Sequence, residues 1–192
     1  MNRQLEAAWQ VHEFLIASRT RYAVIGGVAV QYWGEPRFTQ DVDLSVEPPE
    51  GGVTELVERI TERFPSRTGD PVAFALETRM VLVEAGDEKI NVDIALALPG
   101  YEDELFDRVV EYEIGPGMVL HLCSAEDLIV HKAVAGRPQD QADIRGIVER
   151  QGEALDVGYI RRWLSAFAET KGDPGIQSPF EEIWNAFIAD SQ

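Results

Sequence analysis

The sequence predicts a mixed α/β (α+β) fold: a sheet flanked by helices over residues 1–123, then a helical part over residues 124–192, the two able to form one compact domain. Three observations predict it. Strand-like apolar runs alternate with runs of helical period up to about residue 123. From Ser124 onward only the helical period remains. A length of 192 residues and a hydrophobic share of 45% supply one core plus a small extension.

Residues 4–17 place Leu5, Ala8, Val11, His12 and Leu15 near helical spacing, an amphipathic helix. Tyr22-Ala23-Val24-Ile25 reads as a buried strand, and Gly26-Gly27 end it and open a short helix to about Trp33. Gly34, Glu35 and Pro36 break that helix. Asp41 to Val46 alternates polar and apolar residues, a strand with two distinct faces. After a loop containing Pro48, Pro49, Gly51 and Gly52, residues 53–64 have helical period. Residues 72–76, 79–85 and 89–97 read as three strands, the last two a hairpin through Gly86-Asp87-Glu88. A short acidic helix over 101–108 and a strand over 117–122 complete this part. Helices follow over 124–135, 138–151, 156–169 and 179–189, with Ser124, Asp156 and Ser178 as start signals.

Seventeen basic against thirty-four acidic residues give a net charge of −17. That argues against general adhesion to nucleic acid or anionic lipid, while leaving room for a local basic groove. It suits a protein that gathers divalent cations or docks on a basic partner, and equally one that is simply soluble. No apolar run has bilayer length and MNRQLEAAWQ lacks a signal-peptide pattern, so no membrane is expected and the cytoplasm is the default compartment. A single cysteine, Cys123, excludes an internal disulfide framework. His12, His121 and His131 lack zinc spacing and read as structural.

The sharpest chemical feature is Asp41-Val42-Asp43. On a strand these two carboxylates share one face. They repel each other unless a cation sits between them, and hard divalent ions prefer such oxygen ligands. The competing reading is a solvent-facing strand with polar outward residues. Asp93 lies within the apolar run Ile90–Leu98, where a lone carboxylate is costly unless paired or metal-bound. Should its strand lie beside Asp41–Val46, three carboxylates converge, enough to hold two Mg²⁺ ions about 3.5–4 Å apart. Gly26-Gly27, between a strand and a helix, can bring backbone amides close to a phosphate, or simply form a tight turn.

The order of these elements is itself informative. A strand, Gly-Gly, thirteen residues, Asp-x-Asp and a later strand Asp resembles the nucleotidyltransferase superfamily of DNA polymerase beta. Its turn is Gly-Gly where many members have Gly-Ser, so a serine contact to phosphate is missing. Arg37-Phe38-Thr39-Gln40-Asp41-Val42-Asp43-Leu44 resembles the R-x-T-x-D-x-D-L stretch of AbiEii-like and MenT-like toxin nucleotidyltransferases. The run Lys132-Ala133-Val134-Ala135-Gly136-Arg137 resembles their K-x-x-A motif, and Asp140-Gln141-Ala142-Asp143-Ile144 their D-x-x-D-[L/I] motif.

The resemblance implies a polymerase-beta-like core and Mg²⁺-dependent transfer of a nucleoside monophosphate from an NTP to an acceptor hydroxyl. It implies Asp41, Asp43 and Asp93 as metal ligands and catalytic residues, with Lys132 neutralising the triphosphate. Gly26, Gly27, Arg37, Thr39, Asp140 and Asp143 would join Lys132 in nucleotide binding. Read physically, Lys132 on an otherwise apolar helix is either a cleft lysine or a snorkelling one. Asp140 and Asp143 share a helical face and either orient Lys132 or Arg37 or, for Asp140, favour the helix dipole. The toxin-like motifs imply tRNA or a protein as acceptor and a cognate antitoxin as partner. A small molecule such as an aminoglycoside, or a degenerate domain that only binds a protein, are the alternatives.

Overall fold

A computed structural model describes residues 2–190. Its helices and strands divide into two compact units. The first comprises residues up to Val28 together with Phe38–Cys123, and the second Ala29–Arg37 together with Ser124 onward.

The first unit carries the sheet. Its strands are β1 (Tyr22–Ile25), β2 (Val42–Val46), β3 (Met80–Ala85), β4 (Ile90–Leu96), β5 (Val110–Gly115) and β6 (Met118–Leu122), in the order β3-β4-β2-β1-β6-β5. β2 runs parallel to β4 and antiparallel to β1, while β1 runs parallel to β6. Hairpins close the two edges, β3 with β4 and β5 with β6. The mixed sheet is the fold class expected. Its central strands bury Tyr22, Ala23, Val24, Val42, Leu44, Val46, Val92 and Ile94, which accounts for their apolar runs.

Helix α1 (Arg3–Ala17) buries Ala7, Ala8, Val11 and Leu15, and Asn2 caps it by accepting from the Gln4 amide at 2.8 Å. Helix α2 (Gly26–Trp33) follows β1 with no intervening loop. Helix α3 (Val53–Arg63) buries Leu56, Val57 and Ile60. Helix α4 (Pro71–Thr78) corrects the strand expected at 72–76. Asp70 accepts from the Ala73 amide at 2.9 Å, and Pro71 stands in the first turn, where its missing N–H costs nothing. The start signal Asp-Pro therefore decides a segment whose apolar run alone is ambiguous. Helix α5 is Tyr101–Asp107. Strand β5 was not expected, although Val110-Glu111-Tyr112-Glu113-Ile114 alternates as an edge strand does.

The second unit is helical: α6 (Ala125–Ala135), α7 (Pro138–Gln151), α8 (Val157–Lys171) and α9 (Ser178–Asp190). The C-terminal end of α2 is built into it. Arg150 donates to the Gly34 carbonyl and Gln151 to the Trp33 carbonyl, each at 2.8 Å. Gly34 and Gly146 allow this approach, since a β-carbon on Gly34 would lie 3.1 Å from the Ile147 side chain. Buried Asp127 accepts from Ser124 at 2.6 Å and from Tyr159 at 2.7 Å, tying α6 to α8. Among the described residues no helix is long and apolar enough to cross a membrane.

Asp70→Ala removes the cap of α4. We expect a loss of about 1 kcal/mol in chemical denaturation with an unchanged denaturant slope.

Candidate active site

Pairing between β2 and β4 sets Asp43 directly opposite Asp93, so the two side chains leave the same face of the sheet. Asp41 immediately precedes β2. It is tied to the same strand, because the Asn91 amide donates to its Oδ1 at 3.1 Å. Asn91 and Asp93, two apart on β4, share that face.

The turn after β1 meets this cluster from the other side. Gly26 has φ +63, and a β-carbon there would lie 2.0 Å from Asp43 Oδ2. Only glycine satisfies both the left-handed backbone and the contact. A β-carbon on Gly27 would lie 2.4 Å from Thr39 Oγ1. Thr39 in turn donates to the Asp41 carbonyl at 3.1 Å, and its own carbonyl accepts from Gln4 Nε2 at 2.9 Å. Gly26, Gly27, Thr39, Asp41 and Asp43 thus form one packed constellation.

Two of its neighbours had escaped sequence reasoning. Arg67 donates to Asp93 Oδ1. It arrives on a segment that runs along β3, where its amide bonds the Leu82 carbonyl at 2.9 Å and Leu82 pairs with Asp93. Nothing in its local sequence marks it, because the contact depends on register across three chain segments. Gln4, buried on α1, is the other.

The donors suit a hard divalent cation: carboxylates and an amide, with no soft ligand among them. As placed, no three His, Cys, Asp or Glu side chains among the described residues group closely enough to enclose an ion. Asp43 with Asp93, and Asp41 beside Asn91, are the residues that would hold one.

Lys132, Asp140, Asp143 and Arg37 come together in the second unit. Lys132 is 5% exposed, and its ammonium lies 3.1 Å from Asp140 Oδ1 and 2.8 Å from Asp143 Oδ2. Arg37 grips Asp143 with two nitrogens, at 2.8 and 2.9 Å. Arg137 closes on Asp140 at 2.7 Å. Burial pushes both carboxyls up, but the hydrogen bonds from Arg137 and Lys132 on Asp140, and from Arg37 and Lys132 on Asp143, more than offset it. Both end below their ordinary value. On α6, burial and then Lys132 lower His131 to about 4, so it stays neutral near pH 7.

A cavity of about 920 Å³ in the first unit contains none of these residues. It is lined by Arg19, Arg21, Arg59 and Arg79 and by the carboxylates of Glu47, Glu50, Glu55 and Asp103.

The sheet and its helices are those of nucleotidyltransferases. A solved structure described as an antigenic nucleotidyltransferase-like protein from Paracoccidioides brasiliensis superimposes with a TM-score of 0.58 at 16% identity, covering 93% of this chain and 92% of that one. Residues 4–175 match the family described as nucleotidyl transferase of unknown function (DUF2204), and the chain belongs to it. Two structures of the antibiotic-resistance factor ANT(2'')-Ia also align, at 14% and 16% identity with TM-scores of 0.47 and 0.40. They cover 98% and 96% of this chain, and 95% and 98% of theirs. The second of these is a complex with adenylyl-2''-tobramycin. No curated protein matches in sequence.

Three expected outcomes follow from this geometry. Gly26→Ala should cost at least about 1 kcal/mol in thermal or chemical unfolding, since the backbone region and the Asp43 contact both oppose a side chain. Lys132→Met should cost about 3–5 kcal/mol by leaving two buried carboxylates short of a cation. Because Asp140 and Asp143 titrate below their unfolded values, the stability they contribute is present above the ordinary carboxylate range. It disappears as pH falls through their lowered folded values, and a pH series of denaturation curves reads this loss directly.

Proposed function

We propose that this nucleotidyltransferase moves a nucleoside monophosphate from an NTP to an acceptor hydroxyl in a Mg²⁺-dependent reaction, with Asp41, Asp43 and Asp93 as its metal-binding carboxylates. The observation that carries this reading is the in-register pair Asp43–Asp93, with Gly26 pressed against Asp43. Two carboxylates side by side on adjacent strands repel each other, and a divalent cation between them would offset that repulsion beyond what Arg67 on Asp93 supplies.

In the reaction the acceptor oxygen bonds to the α-phosphorus and the bond from that phosphorus to the bridging oxygen breaks, releasing pyrophosphate. Two Mg²⁺ ions held at Asp41, Asp43 and Asp93 would neutralise phosphate oxygens and make the acceptor hydroxyl more acidic. Asp93 would take the hydroxyl proton, which requires that Arg67 release its carboxylate. Gly26 and Gly27 present backbone amides to the triphosphate, and Thr39 fixes the turn against Gly27. Arg37 and Lys132 are the cations assigned to the nucleotide, with Asp140 and Asp143 orienting them. Lys132 contacts both of these carboxylates, which fix its position and share its charge.

For the acceptor we favour tRNA, with protein as the second macromolecular option and an antitoxin as partner. The support is the combined likeness of Arg37–Leu44, Lys132–Arg137 and Asp140–Ile144 to toxin nucleotidyltransferases. The net charge of −17 opposes RNA contact except at a local basic surface.

The test is transfer of label from each α-labelled NTP, with Mg²⁺, to purified tRNA, protein extract and an aminoglycoside. Asp43→Ala should lower transfer by at least about 10²-fold. Label on the drug alone would end the toxin reading and leave the nucleotidyltransferase standing. No nucleotide binding and no transfer to any acceptor would favour a degenerate binding module.

A further inference from the structure

We propose that the open edge of β5 is a docking strand for an extended, basic segment of a partner protein, which pairs with the backbone of Val110–Glu113 and places one apolar side chain in a small cavity beside it. β1 and β6 separate this edge from the carboxylate-bearing strands β2 and β4, so the surface stands whether or not Asp41, Asp43 and Asp93 bind metal.

β5 ends the sheet on one side, and among the described strands it pairs only with β6. An edge strand turns alternate N–H and C=O groups outward, ready to accept another chain. The two edges of this sheet are treated differently. Along β3, the segment at 65–67 takes up outer groups: the Arg67 amide donates to the Leu82 carbonyl and the Glu84 amide to the Pro65 carbonyl, each at 2.9 Å. Among the backbone hydrogen bonds of the described residues, β5 has no equivalent cover. Its regular pairing with β6 runs from Val110 to Glu113, where a register shift before Gly115 interrupts it.

Side chains select the partner. Glu111 and Glu113 are exposed and share one face of β5. His121 lies directly opposite Glu111 on β6, so it belongs to the same face. His121 and Val109, two residues before Glu111, line a cavity of about 280 Å³ together with Ile16, Tyr22 and Phe106. Ile16 is 46% exposed there. Three features therefore follow one another at two-residue spacing: a glutamate at 113, a glutamate at 111 and an apolar opening at 109. A strand laid antiparallel along β5 meets them with its residues i, i+2 and i+4, which calls for two cations and then one bulky apolar side chain. Arg19 and Arg21 on the rim of the opening disfavour a third cation there. The glutamates also decide against a second copy of this chain, because β5 laid on β5 sets them against each other. They likewise repel nucleic acid and anionic lipid.

Binding of a capped peptide of the order Val-Lys-Val-Lys-Val-Phe to the full chain, followed by calorimetry and by amide hydrogen exchange, tests this. The peptide should bind and slow exchange of the β5 amides. Its counterpart with Glu in place of both Lys should bind about tenfold or more weakly, since two attractive cross-strand pairs become repulsive. The protein carrying Glu111→Lys and Glu113→Lys together should reverse that preference, and both positions are exposed, so the fold tolerates the change. Replacing the peptide Phe by Ala should weaken binding about tenfold, as the loss of one buried apolar side chain does. Binding that leaves β5 exchange unchanged would be general adhesion to a chain of net charge −17 and would overturn the inference. A charge preference that the double variant does not reverse, or an affinity indifferent to the Phe, would overturn it as well. Protection of β5 that grows with protein concentration in the absence of peptide would make a second copy the occupant and end the proposal.

Discussion

The parallel register between β2 and β4 is the constraint on which the rest of this site depends. It brings Asp43 level with Asp93, and every neighbouring feature answers the charge that this creates. Gly26 yields the space that Asp43 occupies, Asn91 on β4 holds Asp41, and Arg67 reaches across β3 to Asp93. A register slip of one residue would turn one carboxylate to the opposite face and leave these contacts without an object. The apolar residues flanking each Asp, Val42 and Leu44 on β2 and Val92 and Ile94 on β4, oppose that slip because all four are fully buried. Hydrophobic alternation thus does electrostatic work: the core sets the register, and the register sets the charge cluster.

The second unit solves a different version of the same problem. Asp140 and Asp143 are almost wholly buried, which is tolerable only because Lys132, Arg37 and Arg137 saturate them. The cluster joins α6, α7 and the residue that ends the 29–37 segment, so it fastens these pieces of chain together. Asp127 does the same for α8 with neutral donors, Ser124 and Tyr159.

Much of this was legible in the sequence, for physical reasons that differ by element. The central strands and long helices declare themselves because each buries one face and so carries a period. Asp41-Val42-Asp43 is legible because two acids on a strand are costly and demand an explanation. The segment at 72–76 misleads because five apolar residues fit a strand or a helix turn equally, and only Asp70-Pro71 breaks the tie. β5 hides because an edge strand with glutamates at 111 and 113 lacks the apolar density of its neighbours. Arg67 and Gln4 are illegible in principle: each matters through a partner far along the chain, Asp93 or Thr39, and no local pattern encodes that meeting.

The small segment 29–37 has a consequence for how this chain can be cut. Neither compact unit is a continuous stretch, because the chain leaves the first after Val28, returns after Arg37 and leaves again after Cys123. A fragment ending at Cys123 would retain Trp33 and Gly34 but lose Gln151 and Arg150, the donors to their carbonyls, and Arg37 would lose Asp143. A fragment beginning at Ser124 would bury Asp143 without that arginine. The two halves are therefore not separable modules that a gene could shuffle or a protease could release intact. Each compact unit is thus completed only by stretches of chain that lie far apart in the sequence.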